Sequence, residues 1–264
     1  MSVDGAVAIA QLRSSHERLV RELEALGETG LAEPSACAEW SVGRVAAHLG
    51  SGAEIASMTL DAGRAGNEQA AGREAMQQVW QLYDSLDDPA ATTRSIAADA
   101  ALITALEALT PSELDTLEVP FFTGPTPVSV LAAFRLAEHT VHTWDVAVVR
   151  DPAAELPAEA ARIILDAVVA PMVARLAGSP PPGGPKKVGV RLSDTDRRLV
   201  LELDPTVGLR EPQPGEAPAD DLDISTAAFV RLVDGRLGRD RTPGSVTPSD
   251  PAMLDRLRRT FPGF

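Results

Sequence analysis

Cysteine is all but missing: the 264 residues hold one, Cys37, so no internal disulfide can form and a reducing compartment is the natural setting. Any thiol chemistry must then be borrowed from a small molecule. Long apolar runs are missing too, since no stretch approaches the roughly 20 residues that cross a bilayer. The opening residues, MSVDGAVAIAQLRSS, lack the basic region and cleavage signal of an export peptide. The expected location is the cytoplasm, with no membrane partner. Basic residues are scarce, 24 Lys and Arg against 38 Asp and Glu, for a formal net charge of −14. Polyphosphate surfaces repel that balance, so no nucleic-acid partner is expected, and small molecules or protein remain. Two short basic clusters, Arg236 to Arg241 and Arg256 to Arg259, depart from it and read as solvated faces. Apolar material is plentiful: 44% hydrophobic with 23% charged is an ordinary globular mix. The length fits roughly two domains, in a monomer or a small homo-oligomer.

Residues 1–150 read almost wholly as helix, because apolar positions recur three and four apart. Leu12, His16, Leu19, Leu23 and Leu26 form one stripe that stops at Gly27. Ser41 is a strong N-cap for a second helix running to about Leu60, with Trp40 packed back on its first turns and His48 two turns inside. A third, looser helix covers about Glu68 to Leu86, and a fourth follows Asp88-Pro89 to about Leu109. Five Pro and Gly residues between Thr110 and Val128 predict an extended connection or loop. Helical period returns from Val128 to Val149, with Val130, Phe134, Ala137, Val141, Trp144 and Val148 as its apolar stripe.

Residues 151–185 read as one more helix, Ala158 to Leu176, and the linker GSPPPGGP, where a domain boundary is expected. Beyond it the period changes to two at Val188, Val190, Leu192 and at Leu199, Leu201, Leu203. Helices capped by Ser225 and spanning Pro251 to Thr260 complete residues 186–264 as a small mixed α/β unit. The fold class is α+β.

The segment EHTVH sets Glu138 and His142 four apart, on one helix face and close enough to hold one metal ion. Alone the spacing is a weak signal. Val141 and Trp144 give it an apolar setting, and Asp145 is placed to accept an imidazole N–H behind the metal. A catalytic zinc site commonly uses three protein ligands, two His and a carboxylate among them, and keeps a fourth position open. His48, among Val45, Ala46, Ala47 and Leu49, is the third ligand chosen. Taken alone it reads as a core histidine bonded to a backbone carbonyl; beside the second histidine segment the ligand reading prevails. His139 points about a hundred degrees from Glu138 and is placed behind the metal ligands or at the surface. His16 is either a core histidine or a pocket-lining one, and Cys37 is structural, with no helix start or basic neighbour to activate it.

The segments EWSVGRVAAHL and AEHTVHTWDVAVV resemble the mycothiol-dependent maleylpyruvate isomerase family, and DISTAAFVRLVDGRLG with DPAMLDRLRRTFPGF resembles that family's C-terminal part. The resemblance covers nearly the whole chain. It implies an N-terminal DinB-like four-helix bundle holding a divalent metal, zinc first, and a smaller domain similar to sterol carrier proteins. By position it implies His48, Glu138 and His142 as ligands, mycothiol as the low-molecular-weight thiol, and Arg236 near a small-molecule substrate. The reaction expected is attack of the activated thiol on a small electrophile, as isomerase or thiol transferase. The alternatives are a hydrolase built on metal-activated water, for which only Asp145 stands out as a base, and a non-catalytic small-molecule-binding or regulatory protein.

Overall fold

The computed structural model describes residues 4–263 except positions 38, 68, 70, 71, 123, 181–183 and 220. The first helix, α1 (Gly5–Gly30), starts where the Asp4 carboxylate accepts the Val7 N–H, and it buries Leu12, His16, Leu19 and Leu23. Gly27 breaks its regularity at φ 66, the left-handed region glycine tolerates, so the last turn swings off the stripe where the pattern stops. Ser41 caps α2 (Val42–Arg64) through the Arg44 N–H, as its sequence predicts. Then come α3 (Arg73–Ser85) and α4 (Asp88–Glu107), the latter capped by Asp87 with Pro89 in its first turn. Glu68, the expected start of the third helix, lies outside the described residues.

The stretch expected as extended chain or loop contains a short helix, α5 (Pro111–Thr116). Thr110 and Glu113 form a reciprocal capping box around Pro111, a local signal strong enough to wind one turn amid prolines. Two-residue strands β1 (Glu118–Val119) and β2 (Thr126–Pro127) pair antiparallel before α6 (Val128–Arg150). Helices α1, α4, α2 and α6 pack in a ring, α2 on α4, α1 on α6, α1 on α4 and α2 on α6. The result is a four-helix bundle. Helix α3 stays outside it, against α2, because Tyr83 is its one buried residue. By contrast α6 is buried nearly all round, including Arg135, His139 and Asp145, so its expected stripe understates its contacts. Trp144 is fully enclosed, and its indole N–H donates to the Ala154 carbonyl at 2.7 Å.

Helix α2 approaches α4 through Gly50, where an added Cβ would stand 2.5 Å from the Ser95 Cα. Backbone cannot yield as a flexible side chain does. Gly50→Ala is therefore expected to destabilise the bundle by about 1–3 kcal/mol through overpacking, read as a lowered midpoint in urea unfolding. An unchanged midpoint would show that the two helices separate freely, contrary to the close packing that holds His48 in place.

The chain divides by internal contacts into Met1–Ala154 and Glu155–Phe264, so the segment expected to lead into a linker belongs to the second unit. That segment begins with α7 (Ala158–Ile164) and ends with α8 (Ala170–Leu176), joined by a wider π-type turn at Leu165–Val169. Pro171 explains the turn: it lacks the N–H for an α-helical bond and its ring crowds the carbonyl four residues back. Part of GSPPPGGP, positions 181–183, falls outside the described residues. Strands β3 (Lys187–Leu192) and β4 (Arg197–Glu202) form an antiparallel hairpin with Val190 opposite Leu199. With β5 (Gly208–Arg210), β6 (Leu222–Ile224) and β7 (Thr247–Pro248) they make a sheet in the order β5-β4-β3-β6-β7, where β3 and β6 run parallel. Ser225 caps α9 (Thr226–Val233), and α10 (Pro251–Thr260) closes the unit as its sequence predicts. One arginine from each basic cluster, Arg239 and Arg258, binds the Asp255 carboxylate. Helical bundle followed by small mixed sheet unit is the α+β class expected.

Candidate metal centre

Helix α2 presents His48 to the face of α6 that carries Glu138 and His142. The His48 Nε2 lies 3.2 Å from Glu138 Oε2, and the His142 Nε2 lies 4.0 Å from the same oxygen. One donor atom from each of the three falls within 4.8 Å of the others. The imidazole rings of His48 and His142 meet edge to face at 4.8 Å. On its far side, the His142 Nδ1 is 3.0 Å from the Asp145 Oδ2, and Asp145 is fully buried. An N–H donated there turns the lone pair of Nε2 toward Glu138, so two acceptors face one point and a cation between them resolves their repulsion. The donor set, two imidazoles and a carboxylate, is one that divalent zinc accepts with a position left open.

Trp40 was expected only as packing for the first turns of α2. It does more, for its ring stands 5.0 Å from His48 and lies nearly parallel to His142 at 5.9 Å, forming an apolar wall over both imidazoles. The loop that carries it is fastened from both sides. Ala36 N–H donates to the Asp145 carbonyl, Ser35 N–H to the Trp40 carbonyl, and Pro34 bridges to Ser41. An aromatic immediately before an N-cap Ser is the sequence feature that marks such a residue, but helix logic reads it as a packing staple. Cys37, in the same loop, is buried among Val42, Val45 and Leu49 and also comes within ligand distance of His142 and Asp145.

Burial favours the neutral form of Glu138, yet the hydrogen bond from His48 and the neighbouring imidazole and guanidinium charges outweigh it and hold the carboxyl at about 2. His142 sits below the ordinary 6.5, chiefly through burial, against the pull of Asp145 and Glu138. His16 is lowered by burial as well. Imidazoles buried neutral take up protons more readily in the unfolded chain, so the metal-free protein should lose stability as pH falls through about 6.5. Glu138 contributes stability above its ordinary 4.5 and surrenders it as pH falls from there toward about 2. Thermal midpoints of the metal-free protein are expected to decline in those two stages. A midpoint flat from about pH 7 to 5 would contradict the buried neutral imidazoles.

His139 departs from its expected place. It is fully buried, and its side-chain partners are Ser15, Thr143 and Asp99, not His48, Glu138 or His142. The offset of about a hundred degrees from Glu138 does turn it away. Because α6 is enclosed by neighbours, that direction leads between α1 and α4 and not to solvent. Arg236 lies in the second unit, in the turn after α9, where its Nη1 donates to the Asp234 carbonyl. Among the described residues no helix is long and apolar enough to cross a membrane.

Asp145 gives the centre a test separate from its ligands. Asp145→Asn keeps a similar shape but removes the charge behind His142, so metal affinity should fall by about 10- to 100-fold in calorimetric titration. Unchanged affinity would mean that Asp145 serves packing alone.

Residues 12–147 match the family model for the mycothiol maleylpyruvate isomerase N-terminal domain. Among solved structures, the crystal structure of the mycothiol-dependent maleylpyruvate isomerase superposes with a TM-score of 0.67 at 18% identity, covering 94% of this chain and 96% of that one. A histidine-to-alanine mutant of the same enzyme superposes with a TM-score of 0.65 at 18% identity and the same coverage. No curated protein matches the chain.

Proposed function

The chain belongs to the mycothiol maleylpyruvate isomerase family, and from that premise we propose that it is a mycothiol-dependent metalloenzyme, an isomerase or thiol transferase acting on a small electrophilic substrate. His48, Glu138 and His142 are its metal ligands. The observation that carries the reading is their convergence from two helices, with Asp145 braced behind His142. When bound there, a divalent ion, zinc first, supplies the charge that keeps a thiol as thiolate at neutral pH, where a free thiol is only a few per cent ionised.

The chain's own residues arrange the rest. Asp145 fixes the ring of His142 so that Nε2 is the coordinating nitrogen. Trp40 excludes water from one side of the ligands, which preserves the thiolate and strengthens every charge interaction near it. A thiolate adding to a conjugated double bond leaves a single bond about which the substrate turns; expelling the thiolate restores the double bond in the other geometry. Protons and electrons balance without any co-reactant. A transferase shares the first step and retains the new carbon–sulfur bond, the enolate left by addition taking a proton from water. The hydrolase alternative needs a free general base, and Asp145 is already committed to His142.

Maleylpyruvate, named by the solved relative, is the first substrate to assay. Conversion is expected with mycothiol present and the metal loaded, and none without thiol. Turnover that persists in the absence of any low-molecular-weight thiol would transfer the assignment to a hydrolase. For Arg236 the family resemblance is the sole support, and its role is to pair with a substrate carboxylate. Arg236→Ala should raise the KM, and an unchanged KM and kcat would remove it from the site.

A further inference from the structure

A second group of ligand-type side chains lies in the bundle interior, apart from the centre described above. His16 of α1, Asp99 of α4 and His139 of α6 are each at least nine-tenths buried, and one donor atom from each lies within 4.8 Å of the others. Buried polar atoms ordinarily find partners, because leaving one unmet costs about 1–3 kcal/mol. Here the His16 Nδ1, the Asp99 Oδ2 and the His139 Nε2 all lack a hydrogen bond. The last two are only 3.2 Å apart yet not aligned as donor and acceptor.

We infer that His16, Asp99 and His139 form a second divalent metal site, which would tie three of the four bundle helices together. The 3.2 Å between Asp99 and His139 matches two ligands of one ion, since donors sharing a tetrahedral ion at about 2.0–2.1 Å stand roughly 3.3 Å apart, and a His16 donor lies within 4.8 Å of both. The outer partners agree. Ser15 and Thr143 hydroxyls stand 2.9 and 3.1 Å from the His139 Nδ1, the position from which a ligand imidazole is normally oriented, and this leaves Nε2 as the coordinating nitrogen. Arg135 donates to the Asp99 Oδ1 at 3.2 Å and so directs Oδ2 inward. The same guanidinium opposes a cation, which makes this the weaker of the two sites.

The experiment counts zinc bound by the full-length, metal-stripped protein in equilibrium dialysis, alongside thermal midpoints. Wild type should take two equivalents, the second more weakly and with a further rise in midpoint. Glu138→Gln should retain one, His16→Leu should retain one, and the two changes together none. Leu suits position 16 because Leu12 and Leu19 flank it on the same stripe; should that variant fail to fold, His139→Gln replaces it. A single wild-type equivalent that Glu138→Gln abolishes and His16→Leu leaves intact would overturn the inference, as would two equivalents undiminished by His16→Leu and His139→Gln. A single equivalent lost with His16→Leu and kept with Glu138→Gln would support this site and sink the first.

Discussion

Glu138→Gln is expected to strip the metal from the His48, Glu138 and His142 centre and to cut mycothiol-dependent turnover by about 1,000-fold or more. The magnitude follows from metal catalysis contributing several kcal/mol of charge stabilisation, at about 1.4 kcal/mol for each factor of ten. Glutamine preserves length and shape, so helical content of the metal-free protein should move little, although the stability that the Glu138 charge contributes above about pH 4.5 is lost. Its neutral oxygen cannot replace the carboxylate that faces both imidazoles at 3.2 and 4.0 Å. Loss of metal and loss of turnover should coincide. A variant that kept its turnover after losing the ion would show that the chemistry needs no metal.

The second large effect concerns stability. Arg135 is buried, and its guanidinium donates to the Asp99 carboxylate at 3.2 Å and to the Leu49 carbonyl at 3.2 Å. Desolvation alone would raise the Asp99 carboxyl, but His139, Arg135 and His16 together hold it below its ordinary range. Arg135→Leu leaves that charge buried without its cation, and the metal-free protein should lose about 3–5 kcal/mol in chemical unfolding. Adding Asp99→Asn removes the stranded charge, so the double variant should recover part of the loss. The network also ties α6 to α2 one residue beyond His48, and Arg135→Leu should therefore weaken metal binding as well. A loss below about 1 kcal/mol would mean water reaches the pair.

Much of this was legible from residues whose signals are local. Ser41, Asp87 and Ser225 mark helix starts because a short polar side chain can meet an orphan N–H, and each does so. The two-residue period at Val188 to Leu192 gave its strand because one face of that sheet is covered. The pairing of Glu138 with His142 was legible because four-residue spacing fixes the two on one helix face. What escaped depends on tertiary approach. No periodicity reveals that α6 is enclosed all round, so His139 reads as a supporting or surface residue when it faces α1 and α4. Trp40 reads as a packing staple, since only the folded loop carries its ring across to His142. The π-type turn before Pro171 and the capping box at Thr110 and Glu113 had local signals, overshadowed by helix period in one case and proline density in the other.

The central claim is that an imidazole of α2 and a carboxylate and imidazole of α6 hold one metal ion with a position open to a thiol. Cobalt(II) substituted into the protein reports it through colour, because a thiolate entering the metal's coordination adds a near-ultraviolet charge-transfer band. Titrating mycothiol into the cobalt protein should raise that band to saturation at one thiol per protein, and Glu138→Gln should show none. A wild-type spectrum that mycothiol leaves unchanged would contradict the claim.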